Sequence, residues 1–205
     1  MSGMSLRLRL ALAGAAAVIV ALSLAGFGLT ALFGTHVQRR AEAEMAVQLD
    51  QVLAGLARQG QALRLTTPPA DPRFRRPYGG LYWQIETIDQ TLRSRSLWDA
   101  ALDLPADELA DGQVHSHEIA GPDDTTLLAL ERIVELPASL GGGAARATVA
   151  MDAAELSAAR RAFAADLSPY LLLLALILIA AQGAQLVFGL RPLGRIGARV
   201  AALRN

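Results

Sequence analysis

The chain has 205 residues and a mass of 21.6 kDa, which allows one or two domains. Its 19 basic residues balance 19 acidic residues, so the net charge gives no reason to expect a nucleic acid as a partner. The hydrophobic content of 53% excludes disorder of the whole chain. Because there is no cysteine, the chain has no disulfide framework, no thiolate metal site and no cysteine nucleophile.

Two long uncharged runs predict transmembrane helices. The first covers residues 10–35 and the second covers residues 167–190. At about 1.5 Å of rise per residue, each is long enough to cross a hydrocarbon core of about 30 Å. A cleaved signal peptide is the alternative for the first run, but its apolar stretch is longer than a signal peptide requires and no clear cleavage site follows.

The distribution of arginine predicts the orientation in the membrane. Arg7 and Arg9 precede the first run, and four arginines without an acid follow the second. Residues 1–9 and 191–205 are therefore expected in the cytoplasm. All 19 acids and the other 13 arginines lie between the runs, which gives residues 36–166 a net charge of −6. These 131 residues are long enough to form a full external domain.

The domain begins with a predicted helix over residues 36–65, continuous with the first span. Its apolar residues recur at 4-3-4 spacing, as in the seam of a coiled coil. They are Met45, Leu49, Val52 and Leu56. Two interpretations stay open: the stripe lies at the two-fold axis of a parallel homodimer, or it packs on the sheet of its own domain. Three prolines within residues 68–72 then end the helical pattern.

Alternating and apolar patterns after the prolines predict five strands. The first two form a hairpin over residues 81–88 and 91–98, and the others cover residues 114–119, 126–136 and 146–151. Asp152 and Glu155 predict the cap of a last external helix that leads into the second span. A long helix, five strands and a closing helix indicate a PAS-like α/β sensor fold between the two transmembrane helices.

After the second span, apolar residues again follow a heptad pattern. They are Leu193, Ile196, Val200 and Leu203, directly after Pro192. The segment from Gly189 to Leu203 resembles the first helix of a HAMP domain. Because the sequence stops inside this helix, we expect the chain to be a fragment of a longer protein.

Two tryptophan-containing blocks carry a further resemblance. They are Phe74–Ile85, with the sequence FRRPYGGLYWQI, and Leu92–Asp99, with the sequence LRSRSLWD. In this order they are similar to the external sensor regions of bacterial two-component histidine kinases, with a layout like that of PhoQ-type sensors. The resemblance implies a homodimer in contact with membrane lipid, and a response regulator as the partner of a kinase region that this chain lacks.

Kinase chemistry is not expected in these residues. No phosphoacceptor histidine motif and no nucleotide-binding box is present. The resemblance therefore implies ATP and Mg²⁺ only for the absent kinase domain, and no cofactor for this chain. The alternatives are the sensor region of another HAMP-containing receptor, such as a chemoreceptor or a cyclase, and a membrane scaffold protein without a switch.

Three groups of charged or imidazole side chains are candidate sites. An acidic segment suits a divalent cation, as the PhoQ-type resemblance implies, or is a solvated loop. Its residues are Asp99, Asp103, Asp107, Glu108 and Asp111. His115 and His117 share one face of a strand and, with Glu118, form a weak metal candidate. Arg93 and Arg95 share one face of the predicted second strand, and Arg132 has the parity of the apolar residues that face inward. An inward arginine requires a carboxylate partner or an anionic ligand, with Glu86, Asp99 or Glu131 as possible partners. Arg93, Arg95 and Arg132 are therefore candidates for an ion pair or a ligand site.

Overall fold

The computed structural model describes residues 6–105 and 112–189. The described residues form two compact units, one with residues 6–33 and 160–189 and the other with residues 34–105 and 112–159. The helix α1, Leu6–Ala54, contributes to both units, and so does α2, Ala153–Gly189. Both helices contain stretches that are long and apolar enough to cross a membrane. The first predicted span, residues 10–35, falls within Leu8–Ala54, and the second, residues 167–190, overlaps Ala153–Phe188.

The first unit contains the apolar parts of both helices, which run antiparallel in close contact. The rings of Phe33 and Phe163 stack with centroids 4.2 Å apart. A Cβ atom on Gly26 would lie 2.7 Å from the Leu171 side chain. Gly14 approaches Gln182 still more closely. Small residues thus allow the helices to approach each other, as in membrane helix pairs.

The second unit is built on a five-stranded antiparallel sheet. Its strands are β3, Leu81–Glu86; β4, Thr91–Arg93; β5, Val114–Ala120; β6, Thr126–Glu135; and β7, Ala144–Asp152. The spatial order is β4-β3-β7-β6-β5. All five predicted strands are present, and the last strand of the sequence occupies the centre of the sheet.

The predicted hairpin is confirmed, but its second strand is much shorter than residues 91–98. The strand β4 ends at Arg93, and a 3₁₀ turn follows over Arg95–Leu97. The Ser94 hydroxyl accepts a hydrogen bond from the Trp83 amide, and the Ser96 hydroxyl donates one to the Leu81 carbonyl. These hydroxyl groups satisfy backbone groups of β3 that a longer strand would otherwise pair.

The helix predicted over residues 36–65 is wrong beyond residue 54. Residues Leu56–Gln59 and Ala62–Leu65 form a separate antiparallel hairpin, β1 and β2. Gly55 explains the end of α1, because its carbonyl accepts hydrogen bonds from the amides of Thr66 and Thr67. The incoming backbone is so close that a Cβ atom on Gly55 would lie 2.1 Å from the Thr67 carbonyl oxygen.

The stripe predicted as a dimer seam is part of the core of its own domain. Its four residues pack with Leu81, Trp83 and Ile85 of the sheet. They are at most 8% exposed: Met45, Leu49, Val52 and Leu56. Side chains that are already buried have no surface to offer a second copy, so the seam at a two-fold axis is wrong. The other interpretation, in which the stripe packs on its own sheet, is confirmed.

A smaller core covers the opposite face of the sheet. Tyr82, Leu127, Ala129 and Ala150 point to this side and pack with Leu97 and Leu102, among others. Both of these leucines come from the segment 94–105, which crosses the face. Each side of the sheet is therefore covered, by α1 on one side and by segment 94–105 on the other.

Candidate functional site

A buried polar cluster lies on the sheet face that is opposite α1. Glu131 on β6 is at its centre and has no exposed surface. In the strand pairing it lies between His115 of β5 and Thr148 of β7, and Thr148 in turn lies opposite Gln84 of β3. One row of side chains across four strands thus carries four polar groups.

Two basic side chains contact the buried carboxylate. Arg146 of β7 donates a hydrogen bond from Nε to Oε2 of Glu131 at 2.7 Å, and its Nη2 lies at the same distance. On the other side, His117 Nε2 lies 2.9 Å from Oε1 of Glu131. A buried carboxylate is strongly disfavoured unless such partners compensate its charge, so the cluster depends on all three strands β5, β6 and β7.

Segment 94–105 is attached to the cluster by hydrogen bonds. Arg146 Nη2 donates to the carbonyl of Pro105 at 2.6 Å. The Gln84 amide makes two bonds of 3.0 Å with the backbone of Leu102, one as donor and one as acceptor. Arg93 Nη1 also donates to the carbonyl of Ala100. A change in the position of Arg146 or Gln84 would therefore move this segment.

Thr148 has an unsatisfied polar group in the cluster. Its side chain is 1% exposed, and its hydroxyl oxygen has no hydrogen-bond partner. The hydroxyl group lies between Glu131 and Gln84 in the strand pairing. A buried hydroxyl group without a partner costs free energy, so Thr148 lowers the stability of the cluster.

The central strand of the cluster leads directly into the second apolar helix. Strand β7 ends at Asp152 and α2 begins at Ala153, without a linker. Asp152 caps α2, because its carboxylate accepts a 2.8 Å hydrogen bond from the amide of Ala154, as the sequence predicted. Strand β7 therefore carries Arg146 near its start and Thr148 at its centre, and it ends at the apolar helix.

A second charged group joins the start of α2 to the segment before β3. Arg73 pairs with Asp71 at 2.8 Å and with Glu155 in the first turn of α2 at 3.2 Å. Its hydrogen bonds hold the pKa of Asp71 below the ordinary value. The same bonds with Asp71 raise the pKa of Arg73. The side chains of Arg73 and Glu155 thus connect Asp71 to α2.

Two tyrosines lie outside the cluster and have shifted pKa values. Tyr78 donates a 3.0 Å hydrogen bond to Asp99, and this bond raises the pKa of Tyr78. Burial raises the pKa of Tyr82, which packs in the smaller core. Asp99 therefore has a hydrogen-bond role within the domain, which joins segment 94–105 to the residues before β3.

The arginines singled out in the sequence lie apart from one another. Arg132 faces α1, where it forms an ion pair with Asp50, a partner that was not among those expected. Arg93 is on β4, and Arg95 is exposed in the 3₁₀ turn that replaces the end of the predicted strand. The three arginines therefore do not form one site.

The other sequence candidates are only partly described. Asp103 is exposed, whereas Asp107, Glu108 and Asp111 lie outside the described residues. Pro192, Leu193, Ile196, Val200 and Leu203, the residues of the expected signalling helix, also lie outside them. His115 and His117 share a face with ring centroids 6.1 Å apart. Within residues 6–105 and 112–189, no three histidine or acidic side chains come together in a group that could hold a metal ion.

The sequence reasoning missed the roles of Arg146, Thr148 and Gln84. A signal was present in β6, where Leu127, Leu128, Ala129 and Leu130 form an uninterrupted apolar run. Such a run indicates a strand that is buried on both faces. Glu131 follows this run directly, so its burial could have been inferred whichever face it occupies.

Comparison with known proteins finds a similarity to a bacterial sensor protein kinase. Over 111 residues the chain is 34% identical to the sensor protein kinase CarS of Pseudomonas aeruginosa. The match covers 54% of the chain and 24% of CarS, so the matched part is about a quarter of the length of that relative. No family model matches the chain, and no solved structure matches it.

Proposed function

We propose that this chain is the sensing and transmembrane-signalling portion of a sensor histidine kinase. The observation that carries the proposal is the direct junction of β7 and α2. A stimulus that changes the packing around Arg146 and Thr148 displaces β7, and β7 has no linker that could absorb the displacement. The second apolar helix then transmits it toward a kinase region. By linkage, a stimulus acts only through different affinities for the two states.

The proposed external domain is PAS-like. Counted along its own strands, the sheet has the order 2-1-5-4-3, with a long helix on one face. This arrangement supports the PAS-like assignment, because such sensor domains also have the last strand at the centre of the sheet. The polar cluster lies on the sheet face opposite α1, which segment 94–105 covers.

The proposed topology puts the domain in the periplasm and both termini in the cytoplasm of a bacterial inner-membrane protein. The arginines at positions 7 and 9, and those after position 190, support it. Reporter fusions after Asn205 and within the 141–143 turn are expected to report opposite compartments. A periplasmic signal from the fusion after Asn205 would contradict the topology.

We further propose a homodimer, a HAMP helix after the second span, and a response regulator as the partner of the kinase region.

The signalling proposal is tested by changing the helical phase of α2. One alanine inserted after Ala159 in the full-length protein rotates everything that follows by about 100°, whereas seven inserted alanines rotate it by only about −20°. We expect the first insertion to change ATP-dependent autophosphorylation in membranes and the second to restore most of the original level. If both insertion variants autophosphorylate at the original level, α2 does not transmit a signal.

A further inference from the structure

A cavity of about 80 Å³ lies where α1, β3, β7 and the start of α2 meet. Its lining includes the apolar side chains of Ala41, Met45, Leu81 and Met151 and the polar side chains of Gln48 and Glu155. It adjoins a more open cleft of about 200 Å³, since both share Ala41, Glu44, Met151 and Glu155. Neither space includes a residue of the Glu131 cluster.

Gln48 brings an unsatisfied hydrogen-bond acceptor to this cavity. The residue is only 9% exposed, and its Oε1 atom is buried without a hydrogen-bond partner. An acceptor in this state costs free energy that a bound N–H or O–H group would recover. The position is on α1 between Met45 and Leu49, which are both in the core, so Gln48 is held in place by its neighbours.

Three charged side chains lie at the cavity besides Gln48. Arg73 lines it, and its guanidinium is held by the carboxylates of Asp71 and Glu155, to which Nε, Nη2 and Nη1 donate. Glu44 is exposed at the edge that cavity and cleft share, and the side chain of Glu155 is 49% exposed. The buried unsatisfied atom is the amide oxygen of Gln48, and with the carboxylates of Glu44 and Glu155 near it this oxygen favours a positively charged donor.

The adjoining cleft has apolar walls suited to a short alkyl chain. Val37, Ala41, Met151 and Leu156 line it, and the only cation there is Arg40 of α1. A ligand with one ammonium group fits the cavity and the cleft together, with its charged head beside Gln48 in the cavity and its carbon chain in the cleft. A carboxylate ligand does not, because its head cannot donate to Oε1 of Gln48 and would lie near the carboxylates of Glu44 and Glu155.

We propose that this cavity binds a small aliphatic primary amine in its ammonium form. Gln48 accepts one hydrogen bond from the ammonium group, Glu44 and Glu155 balance its charge, and the alkyl chain packs on Ala41 and Met151. The bound amine contacts the first turn of α2 through Glu155, so its binding is coupled to the helix that leaves the domain. The site is separate from the Glu131 cluster, and binding there does not depend on the signalling function proposed above.

The test is calorimetric titration of the complete 205-residue chain in detergent micelles with n-butylamine. We expect saturable binding at neutral pH, and no saturable binding of n-butyrate, which has the opposite charge. Gln48→Met keeps the length of the side chain but removes the acceptor, and it is expected to weaken amine binding about tenfold or more. Gln51→Met makes the same change at an exposed position of the same helix and is expected to leave binding unchanged.

The same titrations can overturn the proposal. It fails if n-butylamine gives no saturable binding, if n-butyrate binds as tightly as the amine, or if Gln48→Met binds the amine as tightly as the original chain. Because Gln48→Met removes an unsatisfied buried oxygen, we expect this variant to remain folded, and a thermal unfolding curve of the same sample verifies it.

Discussion

Glu131 on β6 is fully buried, and Arg146 on the adjacent strand β7 donates a 2.7 Å hydrogen bond to it. The pair connects two central strands and, through the Arg146 contact with the Pro105 carbonyl, the segment that covers this face. A buried pair of this kind contributes little net stability, but loss of one partner leaves an uncompensated charge.

Arg146→Met is therefore expected to lower the free energy of unfolding by about 3–5 kcal/mol. The double variant Glu131→Leu with Arg146→Met removes both charges and is expected to recover most of this loss. Chemical denaturation of the full chain in micelles measures both. Arg64→Met, at an exposed position of β2, is the matched control, with an expected change within about 0.5 kcal/mol. A single variant as stable as the control would show that Arg146 does not compensate Glu131.

Asp71 is expected to make stability depend on pH in the acid range. Its folded-state pKa lies below the ordinary value of 3.8, chiefly because Arg73 donates hydrogen bonds to it. Its contribution is therefore fully present above about pH 3.8 and is lost as the pH falls through the lowered folded-state pKa. Asp71→Asn should reduce the loss of stability below this pH.

Thermal unfolding of both proteins from about pH 5 to about pH 2 measures this effect. Asp103→Asn, at an exposed site, controls for the removal of a carboxylate as such. The assignment is wrong if Asp71→Asn and the original chain lose stability in parallel over the whole range.

The sequence predicted β3, β5, β6 and β7 to within about two residues at each end because turn residues bound these strands. The turns at residues 121–124 and 141–143 are rich in glycine, proline and aspartate, and each lies between the strands that the alternating pattern indicated. The capping role of Asp152 was also evident, since a cap depends on residues close in sequence. These features are local, and a single sequence contains the information that they need.

The features that the sequence did not predict depend on contacts between distant segments. The helix α1 ends at Gly55 because the amides of residues 66 and 67 donate hydrogen bonds to its carbonyl, and no local sequence pattern indicates that contact. Similarly, the 4-3-4 stripe of α1 has the same spacing whether it faces a second copy or its own sheet. Glu131 and Arg146 are 15 residues apart and meet only because β6 pairs with β7.

Gly55→Ala is expected to destabilise the external domain by about 1–3 kcal/mol, as overpacking does. The added methyl group would overlap the Thr67 carbonyl, at 2.1 Å in the present backbone. Thermal unfolding of the full chain measures the change. Gly28→Ala in α1 has open space around the added atom and serves as the control. Equal unfolding temperatures for the two variants would mean that residues 66 and 67 can move away at little cost.

The proposed homodimer must use a face of α1 that the core leaves free. Val47 is 57% exposed, and Ala43 is exposed one turn before it, whereas Leu49 is 1% exposed. Because the chain has no cysteine, single substitutions can be compared directly. In membranes, Val47→Cys is expected to form disulfide-linked dimers efficiently on mild oxidation. Leu49→Cys is expected to form few, because the core shields its thiol. Efficient cross-linking at Leu49 with none at Val47 would show that α1 meets its copy through the buried face, which requires the helix to separate from the sheet.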